Sequence, residues 1–185
     1  VASGGSTIRL DAKGDTSNDA TLKLAIASLG DWLPDAGGRV QGDVGVKGRW
    51  PNLAVKANLR GNAIVYAGQK LDALSIDADV PDIGKPGGKL NVVGTNAVTG
   101  GLVFDRIAIN ADGNEQRHQL TVDAKGRPLA ADLTLSGSLK DGAWNGSLSR
   151  LDIDFQGLPR WRLQNASQLA WKDGAASMSD LGLTA

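Results

Sequence analysis

The stretch "GGRVQGDVGVKGRWPNLAVKANLRG", residues 37–61, decides the fold. Val44, Val46, Val55, Ala57 and Leu59 fall on alternate positions, with Asp43, Lys47, Lys56 and Asn58 between them. A period of two is the mark of a strand with one apolar and one wetted face. Glycines punctuate the run. The same grammar extends outward. "TIRLDA" aligns Ile8 and Leu10; "LSIDADV" aligns Leu74, Ile76, Ala78 and Val80 against Asp77 and Asp79. "RIAINAD" aligns Ile107 and Ile109, and "QLTVDA" aligns Leu120 and Val122. "LAADLTLSGSL" aligns Leu133 and Leu135, and "LDIDF" aligns Leu151, Ile153 and Phe155 against Asp152 and Asp154. Turn signals such as "DAGG", "KPGG", "AVTGG", "ADGN" and "KDGAWNG" separate these runs and predict about a dozen strands, mostly antiparallel neighbours.

One segment reads differently. In "TSNDATLKLAIASLGDWLP", Leu22, Ile26, Leu29 and Leu33 approach helical spacing, with caps at Ser17 to Asp19, while Leu22, Leu24 and Ile26 alternate. The expectation is a strand running into a short helix near 26–33, stopped by Pro34. Lys47-Gly48-Arg49 recurs as Lys125-Gly126-Arg127, and "GGRV" resembles "GGKL", at unequal spacings that do not make a solenoid. No linker marks a second domain, so residues 1–185 read as a single β segment, and a start at Val1 reads as a piece of a longer chain.

Composition narrows the function classes. Twenty basic and twenty acidic residues cancel, and no Lys/Arg cluster points to nucleic acid or anionic lipid. Glu115 is the only glutamate; the other acids are aspartates, which suit turns and polar strand faces. With no cysteine there is no disulfide or thiolate metal site. The longest apolar runs, such as "AIVYA", are too short to span a bilayer as a helix.

Catalytic chemistry is sparse. His118, the single histidine, lies in polar "NEQRHQL" and reads as a solvated surface residue, not as a base or ligand. The aspartate pairs read as a wet sheet face. "DIDFQG" begins like a calcium loop but has Leu163 where the glutamate should stand. "GDVGVKG" lacks dinucleotide-loop spacing. Trp161 and Trp171 read as core or edge covers ahead of ligand platforms. No catalytic residue, cofactor or metal is expected.

Residues 29–80, from "LGDWLPDAGGRVQGDVGV" through "LSIDADV", resemble the TamB family, as does the style of 81–185. The matching positions are Leu33-Pro34, Gly37-Gly38, Gly42, Gly48, Pro51, Tyr66-Ala67-Gly68 and Leu71 through Val80. AsmA-like proteins share similar patterns. The resemblance implies an all-β protein: a long antiparallel-rich sheet folded lengthwise into a U-shaped β-taco with an apolar interior. It implies a periplasmic part of a protein anchored in the inner membrane of a Gram-negative bacterium, partnered by a TamA-like outer-membrane barrel. The implied work is outer-membrane biogenesis, protein secretion and lipid transport. The expected groove lining is Val44, Val46, Val55, Ala57, Leu59, Leu74, Ile76, Ala78, Ile107, Ile109, Leu120, Val122, Leu133, Leu135, Leu151, Ile153 and Phe155. The expected cargo is phospholipid acyl chains or nascent outer-membrane β-strands. The other architecture that the alternation allows is a closed β-sandwich scaffold or adhesion module with a sealed core.

Overall fold

The computed structural model describes residues 2–14, 18–85 and 87–185. Ser17 of the expected cap and Pro86 of the "KPGG" turn lie outside the described residues. The strands run in chain order: β1 (Ala2–Ser3), β2 (Ser6–Gly14), β3 (Asn18–Ile26), β4 (Ala36–Arg49), β5 (Asn52–Tyr66), β6 (Gln69–Val80), β7 (Gly87–Thr99) and β8 (Leu102–Asn114). They continue as β9 (His118–Arg127), β10 (Leu129–Lys140), β11 (Ala143–Phe155), β12 (Trp161–Leu163), β13 (Ser167–Lys172), β14 (Ala175–Met178) and β15 (Leu183–Thr184). Sequence neighbours are space neighbours from β1 to β12, every pairing is antiparallel, and the sheet does not close into a barrel. It is a taco-like sheet. Beyond β11 it forks: β12 and β15 continue from one half of β11, β13 and β14 from the other.

The expected helix near 26–33 is not there. β3 runs through Ile26, and only a single 3-10 turn, Leu29–Asp31, follows. Leu22 and Leu24 pair with Leu10 and Ile8 on one side, and Leu22, Leu24 and Ile26 pair with Val44, Gly42 and Val40 on the other. Two ladders of backbone hydrogen bonds outweigh a helix too short to repay its nucleation.

The antiparallel register turns the sequence alternation into rows. One row runs Leu22, Val44, Ala57, Ala78, Leu90, Ala111, Leu120, Leu135, Leu148 across β3 to β11. The next runs Leu24, Gly42, Leu59, Ile76, Val92, Ile109, Val122, Leu133, Leu151. Between them lies Lys23, Asp43, Asn58, Asp77, Asn91, Asn110, Thr121, Thr134 and Arg150, which therefore points to the opposite face.

A crease crosses the sheet. Gly38, Ala63, Asp72, Asn96 and Asp105 drop out of the ladders in five successive strands, β4 to β8. Ala63 and Asn96 both have φ of 51°, in the left-handed region. The Asn96 side-chain amide donates to Asp72 Oδ2 at 2.9 Å along this line. Bulged positions bend a strand and raise its twist, and aligned across neighbours they bend the sheet.

Burial is shallow. Among the described residues, the only apolar ones in the fully buried class are Ala97, Phe104, Ala108 and Leu148. The accessible surface is 11710 Å². A compact monomer of this mass would expose about 8,400 Å². The difference is the cost of a single-layer sheet whose apolar face has no second layer packed on it among the described residues.

Candidate functional site: the apolar face

The expected lining residues fall together. Val44 and Val46 on β4, Val55, Ala57 and Leu59 on β5, and Leu74, Ile76 and Ala78 on β6 share one face. Ile107 and Ile109 on β8, Leu120 and Val122 on β9, Leu133 and Leu135 on β10, and Leu151 and Ile153 on β11 join them through the register. All of these are half-buried; only Phe155, opposite Leu129 at the strand end, is exposed. A sealed core would hide them and a solvated face would expose them.

Two hollows open on this face. The first, of about 520 Å³, is lined by Ala78, Val80, Leu90, Ala111, Leu120, Leu139 and Trp144, with Gly88, Gly113 and His118 in its floor. The second, of about 320 Å³, lies toward the opposite strand ends, among Ile64, Leu71, Leu74, Val92, Gly94, Ala97 and Ile107. Glycines make room in both. A Cβ on Gly61 would stand 3.2 Å from Ile64, and one on Gly94 would stand 3.0 Å from Leu71. Large side chains from beyond the crease thus fold back over bare backbone.

His118 is not the solvated surface residue its polar neighbours suggested. It is half-buried on the apolar face, where the Trp144 indole N–H donates to its Nε2 at 2.6 Å. Its Nδ1 stands 3.1 Å from the Asn114 carbonyl oxygen, to which it donates in this tautomer. The two rings stack at 6.2 Å between centroids. Both ring nitrogens are engaged by the fold.

The polar face is internally paired. Arg60 contacts Asp77 at 3.0 Å, Lys56 contacts Asp79 at 2.9 Å, and Asn58 donates to Asp77 at 2.6 Å. Asp152 meets Arg150 at 2.8 Å, Arg162 at 3.4 Å and Arg160 at 3.5 Å. The Asp152 hydrogen bond, followed by the charge of Asp132, raises the Arg150 pKa further above its usual value. A hollow of about 480 Å³ also lies on this side, among Asp43, Lys56, Asn58, Asp77, Lys89 and Asn110, as the saddle of a twisted sheet produces. Asp77 and Asp79 there are met by Arg60 and Lys56, the arrangement of a polar sheet surface. Among the described residues no group of three acids or histidines converges as a metal site, and no helix is long and apolar enough to cross a membrane.

The expected lining named no residue of β7, where the "NVVG" run blurs the alternation of Leu90 and Val92. It also missed Leu148 and Trp144, which reach the apolar face because β11 shifts register between Thr134 and Leu135 of its partner. Trp161 on β12 and Trp171 on β13 are exposed, and Trp171 lies between Trp144 and Ala176 in the ladders.

An open, single-layer antiparallel sheet with one face rich in apolar side chains and the other rich in ion pairs defines a class of protein: an all-β chain built as one taco-like sheet. The family described as TamB, N-terminal domain, matches residues 1–179, and the chain belongs to it. It is similar to the translocation and assembly module subunit TamB of Haemophilus influenzae (strain ATCC 51907 / DSM 11121 / KW20 / Rd), 25% identical over 143 residues. That match covers 76% of this chain and 11% of the relative, so the chain spans about a tenth of the length of the curated relative it matches. No solved structure matches.

Proposed function

We propose that this chain is a periplasmic, non-enzymatic segment of a TamB-like protein anchored in an inner membrane and partnered by a TamA-like outer-membrane barrel. Its apolar face forms the inside of a groove that carries phospholipid acyl chains between the membranes and so supports outer-membrane assembly. One observation carries the choice of cargo. The apolar face spans nine strands, β3 to β11, about 40 Å at the usual strand spacing, and each of those strands is already paired on both sides. A peptide strand laid on this floor would find no backbone partner for its N–H and C=O groups, a penalty of lost hydrogen bonds. A hydrocarbon chain needs none, and each methylene kept from water is worth about 0.8 kcal/mol. Among the described residues, nascent strands could add only at the sheet's ends: at β1 and the stretch of β2 beyond its two-residue pairing with β1, and at β14 and β15.

The non-enzymatic reading rests on His118, whose two ring nitrogens are held by Trp144 and Asn114. The groove reading is supported by the half-buried lining and by the surface in excess of a compact monomer. A sealed sandwich would lack both.

The test is Ile76→Asp in the full-length protein, with co-purified lipid extracted and quantified. A carboxylate in the groove should keep the β circular dichroism and cut bound phospholipid at least about tenfold. Unfolding of the segment with lipid content unrelated to the substitution would favour the sealed core.

A further inference from the structure

The first hollow ends at a side chain, not at the edge of the sheet. A row on the apolar face runs Gly113, His118, Gly137, Gly146, Leu169 from β8 to β13. Apart from His118 it is bare backbone until Leu169, a smooth lane across the strands. Trp144 comes from the same face of β11, two residues before Gly146. Its indole lies back over Gly146 and Gly137 and reaches His118 on β9. Together the two side chains bridge two strand spacings, about 10 Å. The indole needs both glycines: a Cβ on Gly137 would come within 2.6 Å of it, and one on Gly146 would overlap it. At Gly137 the three nearest atoms to such a Cβ all belong to Trp144.

We propose that Trp144 is a stop in the apolar lane, latched by its hydrogen bond to His118, and that it sets how far a hydrocarbon chain extends from β6 toward β13. This rests on the acyl-chain reading of the groove. With the latch made, a chain occupies the hollow beside Val80, Leu90 and Leu120 and ends against the indole. With the indole lifted, the glycine lane runs on to Leu169. His118 acts as a positioning residue, through the acceptor it presents to Trp144. The latch is cheap to break: one neutral hydrogen bond holds a side chain whose backbone stays fixed in the ladder.

The test is photo-crosslinking in the full-length protein, with a benzophenone side chain at Leu90, before the stop, or at Leu169, beyond it. Adducts are identified by mass spectrometry. In the native background phospholipid adducts should form at Leu90 and be scarce at Leu169. Gly137→Ala, which pushes the indole off its floor, and His118→Leu, which removes the acceptor, should each raise Leu169 adducts about fivefold, the shift that losing one hydrogen bond gives. Leu90 adducts should stay unchanged. His118→Gln, which restores an acceptor, should return Leu169 toward native. Equal Leu169 adducts in native and variant proteins, with Leu90 labelled throughout, would overturn the stop and leave the groove reading standing. No lipid adduct at Leu90 in any background, or peptide adducts there, would overturn the acyl-chain reading itself and the stop with it.

Discussion

Two parts of the apolar face solve the same problem in different ways. Beside the crease, Gly61, Gly94 and Gly126 are covered by Ile64, Leu71 and Phe104. At the other strand ends Gly137 and Gly146 are covered by Trp144. In both places a missing Cβ lets a large side chain lie flat on the sheet. Beside the crease the surrounding backbone is special: Gly38 has φ of 102°, and Ala63 and Asn96 sit in the left-handed region. At the Trp144 end neither glycine has a positive φ, and a hydrogen bond does the holding. The crease is built into the main chain; the indole is a side chain that can leave. In the proposed groove, one end is therefore set by the main chain and the other by a side chain.

Alanine substitutions test this contrast most sharply. Gly38→Ala combines a forbidden φ with a Cβ driven into the Ala63 carbonyl and should cost about 3 kcal/mol in urea unfolding. At Gly137 the three atoms nearest an added Cβ belong to the Trp144 indole, a side chain with room to turn, so Gly137→Ala should cost less than about 1 kcal/mol. Equal costs would abolish the distinction. Phe104→Ala removes one of the few fully buried apolar side chains and uncovers Gly126; it should cost about 3 kcal/mol, read from the same midpoints. Trp144→Phe keeps an aromatic cover but drops the bond to His118, and should cost about 1 kcal/mol.

Smaller effects refine the crease. Ala63→Gly relieves the left-handed strain on an L-residue, worth 1–2 kcal/mol, against the entropy of glycine, so a net gain of about 0.5 kcal/mol is expected. Asn96→Gly should gain less, because asparagine tolerates that conformation. The smallest effect is at a turn outside the trough. Asp82 accepts from the Asn52 amide at 2.8 Å and from the Gly84 N–H at 2.9 Å, and these bonds hold its pKa below the usual aspartate value. A depressed carboxylate pKa stabilises the fold above the unfolded value, and that contribution disappears as pH falls through the folded one. Asp82→Asn should therefore differ from the native chain at neutral pH and converge with it below the carboxylate range, in parallel thermal melts.

Much of the sheet was legible because alternation and register are the same information. Once Leu59 and Ile76 are known to lie on apolar runs joined by a tight turn, antiparallel pairing places them side by side. The family resemblance carried the step from amphipathic strands to an open sheet, which alternation alone leaves undecided against a closed one. What escaped the sequence were interruptions of the period. The crease needs five positions in five strands to align, and only the pairing reveals that alignment. Trp144 and Leu148 were hidden by a register shift on β11. His118 was misread because its polar neighbours in sequence belong to a hairpin turn, while its neighbours in space are Gly137 and Trp144. The false helix near 26–33 arose because Leu22, Ile26, Leu29 and Leu33 satisfy a helical spacing that the ladders on both sides of β3 overrule.

The central claim is that the apolar face is a surface for hydrocarbon. It is tested most directly by adjacent residues on one strand. Ile76 lies in an apolar row and Asp77 in the polar one, with Asp77 bonded to Asn58 and Arg60. A photo-crosslinking side chain at each position, in the full-length protein in cells, should yield phospholipid adducts at Ile76 and none at Asp77. The absence of any adduct at Ile76, or equal labelling at both positions, would contradict the account.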